Sequence, residues 1–415
     1  MYPLIAIMLS LALLGILLHV KLRLGYAMIV SALALAVMLR VTPNAFLGVV
    51  VNEWKNKPLG QMTGYLFISL TALVLLVNVL GIAMKQTGVS ERLAPALQGV
   101  FKSRRFALAV IPLIMGMLPT PGGIMLSAPM VRDLGDHIGV GRTRLAAINF
   151  HFRHQMETLW PLFPAVPLVQ GMLGISAFSL ISHNIALMAG GLLGGVIFLL
   201  LSGIPPKDKS SQPRGRFIAD IQSIIGSLWP IAFVIGLYAG FNLSPAIGIL
   251  LAIGAFLMVH KVPWHQSKAM FKSGFEFDIV LLILGAILFK LDIEAGNAIP
   301  AVVQFLTDIH IPVAILIFFL PLLVAFLTGV TTPTVAITFP FLIPFIGTGH
   351  DAKLGLEVLA FSGLVCGLML TPIHLCLALS ATYFEAPLMR IILKLLAPTA
   401  FVAVAGFLMA MFCRS

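Results

Sequence analysis

Long apolar runs recur along the whole chain, and they leave little choice of fold. Residues 3–20, 25–41, 63–84, 145–172, 177–203, 218–241, 245–259, 276–290, 356–380 and 395–412 are each dominated by aliphatic and aromatic side chains. A helix needs about 20 such residues to cross a bilayer. The runs are continuous rather than alternating, which excludes the short two-residue pattern of a membrane β-barrel. Hydrophobic residues make up 60% of the 415 and charged residues only 10%. A soluble globule carries about 25% charge, and a disordered chain needs low hydrophobicity, so both are excluded. The expected fold class is all-α, a polytopic membrane protein with about ten transmembrane helices. The first run lacks a basic leader and a small-residue cleavage site, and reads as a retained span.

Two further apolar stretches, 106–131 and 311–346, fit a simple span badly. The first is interrupted by Leu118-Pro119-Thr120-Pro121-Gly122-Gly123, the second by Thr328-Gly329-Val330-Thr331-Thr332-Pro333-Thr334. Such clusters break a helix. Broken backbone survives at membrane depth only inside protein or beside a wet cavity. Both stretches are therefore expected to be re-entrant hairpins. Charge placement agrees. With the Lys21/Arg23 loop on the cytoplasmic side, segments 21–24, 85–105, 132–144, 204–217, 260–275 and 381–394 hold 19 of the 26 Lys and Arg residues, against six on the other face. This is the positive-inside bias, and it accounts for the net charge of +11 without invoking nucleic acid.

The polar linker 204–217 splits the chain near its middle. On either side the order is three spans, an amphipathic stretch, a hairpin, a Pro-interrupted span and a last span. Spacing repeats too. Lys85 precedes Pro95 by ten residues, as Lys290 precedes Pro300, and Pro121 precedes Pro161 by 40, as Pro333 precedes Pro372 by 39. The expected organisation is a first inverted repeat over 1–203, the linker, and a second over 218–415. Segments 85–105 and 291–310 are too polar to span and are expected to lie in plane as arms.

A break in a membrane helix frees N–H groups at one end and C=O groups at the other. Helix N-termini attract anions, while carbonyls and hydroxyls suit Na⁺. Four breaks are expected to converge, at Thr120–Gly123, Thr331–Thr334, Trp160–Pro164 and Thr371–Pro372. This arrangement resembles the ion transporter superfamily. Within it, the run from Leu118 through Ser127 to Pro129 resembles an uncharacterised membrane family of unknown function. The resemblance implies a homodimer working as an elevator, with a fixed scaffold (1–84 and 218–290), a mobile transport domain (106–203 and 311–415) and cation sites at the hairpin tips. The Ser-Asn-Thr tip motif of the dicarboxylate symporters in that superfamily is absent here.

Candidate site residues follow from polar groups left inside the apolar mass. The segment 149–158 contains Asn149, His151, Arg153, His154, Gln155, Glu157 and Thr158, and is the most polar of any span. An ionisable residue at that depth is functional by default. On a continuous helix Glu157 lies about 20 Å past Arg144, and Arg153 and Glu157, spaced i,i+4, can pair. Glu157 is a candidate proton or cation carrier and Arg153 a candidate anion holder. His374 follows the second break. Tip hydroxyls and turn formers complete the set: Thr120, Pro121, Gly122, Gly123, Ser127, Thr328, Gly329, Thr331, Thr332, Thr334 and Thr371. The order His151, His154, Glu157 lacks zinc-protease spacing, and Cys366, Cys376 and Cys413 form no spaced pair. No metal site, no cofactor and no catalytic constellation is expected, so the chain does not read as an enzyme.

The expected function is secondary active transport of a small organic anion, carboxylate-bearing, coupled to Na⁺ or H⁺. Two alternatives stand beside it: a cation/proton antiporter, and a membrane subunit that needs a soluble binding protein. The expected partners are substrate, coupling cation, lipid and a second copy of the chain, and the expected location is the inner membrane.

Overall fold

The computed structural model describes residues 2–101, 103–117, 124–202, 204, 217–308, 310 and 312–413. Among these residues every regular element is a helix. The first half contains α1 (Tyr2–His19), α2 (Leu24–Met38), α3 (Pro43–Asn56), α4 (Thr63–Gln86), α5 (Val89–Val100), α6 (Arg104–Gly116), α7 (Ile124–His137), α8 (Arg142–Arg153), α9 (Ala165–Leu173) and α10 (Ala177–Gly195), which runs on as a π-helix to Leu201. The second half contains α11 (Phe217–Phe241), α12 (Pro245–Val259), α13 (Trp264–Gly274), α14 (Phe277–Ala295), α15 (Ala298–Asp308), α16 (Val313–Thr328), α17 (Thr331–Ile346), α18 (Leu354–Leu370), α19 (Leu375–Tyr383) and α20 (Leu388–Phe412).

Local chemistry sets many of these boundaries. Thr42 caps α3, its hydroxyl accepting from Ala45 N at 3.2 Å ahead of Pro43 at the first helical position. Ser103 and Ser176 cap α6 and α10 in the same way. Gly174 and Gly329 end α9 and α16 in the left-handed conformation, both at φ +67.

Six described stretches are long and apolar enough to cross a membrane: 2–19, 63–86, 177–201, 217–241, 354–383 and 388–412. A seventh results if α2 and α3 count as one span bent by 109°. The other expected spans are present as helices but fall short of that measure. The chain of α12 is only 15 residues long. The run 145–172 is divided into α8 and α9 by residues 154–164. The helix α14 extends past 290 to Ala295 and carries Asp278, Lys290, Asp292 and Glu294. The exterior is apolar, with Phe241 80% and Val37 78% exposed, the reverse of a soluble surface. The protein is an all-α, polytopic membrane protein.

The stretches 42–62 and 260–275, expected as loops, contain the helices α3 and α13. Both are short and mixed in polarity, which hides them in a search for long apolar runs. The arms expected at 85–105 and 291–310 contain α5 and α15.

Packing crosses between the halves in matched pairs. The helix α2 packs on α14 and α12 on α4, while α1 packs on α15 and α11 on α5. Similarly α9 packs on α17 and α19 on α7, and α8 on α20 and α18 on α10.

Lys290, expected on the face opposite the basic loops, is buried in α14. It reaches Glu53 Oε1 of α3 at 3.1 Å, Thr63 Oγ1 at 2.8 Å and Glu294 Oε1 at 2.9 Å. Lys57 and the Thr63 N–H also donate to Glu53. Burial alone would raise the Glu53 carboxyl, but Lys290 and these donors outweigh it and hold it at about 2. The network ties the connector α3 to the start of α4 and the end of α14.

Candidate functional site

The helix α8 stops at Arg153, so Glu157 does not continue its face as the sequence spacing implied. His154–Met156 forms a single tight turn, and irregular backbone continues to α9. This segment is enclosed: His154, Gln155, Glu157 and Thr158 are all buried. Enclosure is what irregular backbone needs at membrane depth. Gly116 makes it possible for α6 to pass close by, because a Cβ there would collide with the Arg153 carbonyl oxygen.

Several polar groups of 149–158 are used internally. Asn149 Oδ1 accepts from Ser127 Oγ at 2.6 Å. His151 Nε2 lies 2.8 Å from Gly191 O, and Gln155 donates to His151 O at 2.7 Å. Arg153 donates to Met115 O at 2.7 Å and hydrogen-bonds the Cys376 thiol. It also interacts electrostatically with Glu157. Glu157 Oε1 lies 3.7 Å from His154 Nε2, whereas its Oε2 has no hydrogen-bond partner among the described residues.

The break between α18 and α19 sits opposite. Thr371 Oγ1 donates to Phe326 O of α16 at 2.6 Å. His374 Nδ1 lies 2.7 Å from Gly329 O at the turn between α16 and α17. Its Nε2 faces His154 Nε2 at 3.1 Å, which joins the two breaks directly. The α16–α17 turn is held by Thr328 Oγ1, 3.1 Å from Thr334 Oγ1, and by Thr334 donating to Val330 O at 2.8 Å.

Two cavities border this junction. One of about 660 Å³ is lined by Glu157, Thr328, Gly329, Thr331, Thr371 and His374, with Gly15, Leu18 and His19 of α1 on its far wall. The other, about 240 Å³, is lined by Arg153, His154, Glu157, Thr331, Thr332 and Cys376, facing Val74 and Val77 of α4 and Ile279, Leu282 and Ile283 of α14. Thr331 opens α17 and Leu375 opens α19, and both residues line the larger cavity. First-turn N–H groups lack helical partners and carry the positive end of the helix dipole. The junction thus combines anion-attracting helix ends with one buried carboxylate, a guanidinium and two imidazoles.

The structure therefore brings Arg153, His154, Glu157, Thr328, Gly329, Thr331, Thr332, Thr371 and His374 to one place. Ser127 lies apart against Asn149, Thr334 turns its hydroxyl back into the α16–α17 turn, and Thr158 is buried without lining either cavity. Thr120, Pro121, Gly122 and Gly123 lie outside the described residues. Sequence reasoning missed Cys376, which had no motif to announce it because His154 and His374 are 220 residues apart. It also missed Glu357, fully buried in α18 with Oε1 taken by Asn184 at 3.0 Å. An acidic residue just inside the apolar run from 356 was the available signal.

No curated protein matches the chain. Among solved structures, the fold is similar to that of the Alcanivorax borkumensis YdaH transporter, described as having an unusual topology. The two align with a TM-score of 0.58 and 14% identity, over 87% of this chain and 88% of that one. A family model matches residues 3–412, and the chain belongs to that family, described as a protein of unknown function, DUF401.

Proposed function

We propose that the protein is a secondary active transporter that moves a small organic anion, coupled to Na⁺ or H⁺. The observation that carries this reading is the 660 Å³ cavity, where the N-terminal ends of α17 and α19 meet the buried Glu157 between two groups of helices. Helix ends of broken spans near mid-membrane favour anionic groups. A buried carboxylate with a vacant oxygen suits a coupling cation. The similar fold of a named transporter supports the same class.

In this reading the halves 1–203 and 218–415 are inverted repeats, and their matched cross-packing supports that plan. The broken elements 106–203 and 311–415 move as an elevator against 1–84 and 218–290 in a homodimer, with α5 and α15 in the arms. Both cavities have the broken elements on one wall and α1, α4 or α14 on the other, as such movement requires. In the same reading the multi-pass chain sits in the inner membrane, with the basic loops inside.

The test is uptake into proteoliposomes of a panel of labelled small carboxylates under an imposed Na⁺ or proton gradient. Accumulation above protein-free vesicles under one gradient supports the proposal, and its absence for every anion under both gradients sinks it. The unpartnered Glu157 oxygen also favours a second reading, cation/proton antiport. Dissipation of a pH gradient on Na⁺ addition without any anion would select it.

A further inference from the structure

The two imidazoles at the junction present a chemical problem. His154 Nδ1 faces Phe150 O at 2.6 Å and His374 Nδ1 faces Gly329 O at 2.7 Å. A carbonyl only accepts, so each Nδ1 carries the ring's proton. In neutral rings both Nε2 atoms then present lone pairs, and these point at one another across 3.1 Å. That contact is repulsive unless a cation lies between them.

We propose that His154, His374 and Cys376 bind a divalent metal ion of the Zn²⁺ class, with the fourth position left open to water. Ligand atoms of His154, His374 and Cys376 all lie within 4.8 Å of one another. Two nitrogens on a tetrahedral ion with Zn–N bonds of about 2.0–2.1 Å stand roughly 3.3 Å apart, close to the 3.1 Å found here. Metal-bound imidazoles characteristically donate their other N–H to a backbone carbonyl, which fixes ring and tautomer. Both rings already do so. Glu157 Oε1 lies 3.7 Å from His154 Nε2 and places a carboxylate charge beside the three-ligand group.

The donor set decides the class of ion. Two nitrogens and a sulfur suit a borderline ion such as Zn²⁺ or Co²⁺, whereas Na⁺, Mg²⁺ and Ca²⁺ prefer oxygen. A single shared proton would satisfy the imidazoles but gives no reason for the Cys376 sulfur to lie within 4.8 Å of both. Thiolate and carboxylate together neutralise a divalent charge, and Arg153 donates to the sulfur from outside the ligand shell. The 240 Å³ cavity gives access to His154, Cys376 and Glu157. Because the histidines belong to two separate broken spans, bound metal clamps those spans together.

The test uses the full chain, purified in detergent, stripped with chelator and titrated with Co²⁺. Saturable visible bands of four-coordinate cobalt are expected, with a near-ultraviolet thiolate-to-cobalt band, both displaced by Zn²⁺ and unaffected by Mg²⁺. Cys376→Ser should lose the thiolate band, whereas Cys366→Ser and Cys413→Ser should keep it. His374→Ala should weaken Co²⁺ binding by at least the roughly 10–100-fold that even outer-shell changes cost. Zn²⁺ should also raise the unfolding temperature of the wild type. A folded wild type that gives no four-coordinate spectrum overturns the proposal, as does a spectrum unchanged in both Cys376→Ser and His374→Ala. These readouts do not depend on transport, so failure of the metal site and failure of the transport reading are separable.

Discussion

At the scale of single residues, the buried ions divide into those that hold the fold and those left for chemistry. Glu53 and Lys290 belong to the first group, with every Glu53 oxygen and the Lys290 ammonium engaged. Removing Lys290 takes away the buried counter-charge of Glu53 and leaves it only Thr63 and the part-exposed Lys57. Lys290→Met should therefore lower stability by about 3–5 kcal/mol, read as a fall in unfolding temperature, and Lys290→Met/Glu53→Gln together should cost less than Lys290→Met alone. The network also has a predictable acid response. Glu53 is held at about 2, below its ordinary 4.5, so its contribution is complete above the ordinary value and fades as pH falls toward 2. Glu53→Gln should flatten the loss of stability between those limits. A wild-type and Glu53→Gln pair with parallel acid unfolding profiles would refute this. Glu157 belongs to the second group, since one of its oxygens is unused and it lines both cavities.

At the scale of elements, function rests on where helices stop. Proline, glycine and threonine clusters in apolar stretches announced the α16–α17 turn and the interruption near Pro372, because those residue types break a helix whatever surrounds them. The end of α8 was less legible. Its sequence permits a helix through Glu157, and the stop at Arg153 comes from tertiary contacts with Met115 and Gly116. The connectors α3 and α13 were invisible for a different reason, being short and lying beyond the apolar runs. The meeting of His154, His374 and Cys376 could not be read at all, because it depends on packing between breaks far apart in sequence. The α16–α17 turn offers a test of element-level reasoning. Gly329 sits at φ +67 with Ile373 and His374 pressed against it. Gly329→Ala should cost about 1–2 kcal/mol in a left-handed position, visible as a lower unfolding temperature. Unchanged stability would show that the turn tolerates a side chain.

At the scale of the whole molecule, charge and packing describe one plan. The basic loops are expected on one face by the positive-inside bias, and α2 on α14 with α12 on α4 gives each half the same surroundings in the other. If the halves are inverted, Asp133, at the end of the first hairpin, and His350, just past the second, face opposite sides. Single cysteines at these exposed positions in a cysteine-free background should react with an impermeant thiol reagent from opposite faces. Labelling from one face would refute the inverted plan. The central claim is that the polar groups gathered at the breaks form one site and that transport uses it. Gradient-driven anion uptake, compared between wild type and Glu157→Gln reconstituted at equal levels with matched unfolding temperatures, tests it most directly. The account predicts accumulation in the wild type and its loss in Glu157→Gln. Equal accumulation in both proteins would contradict it.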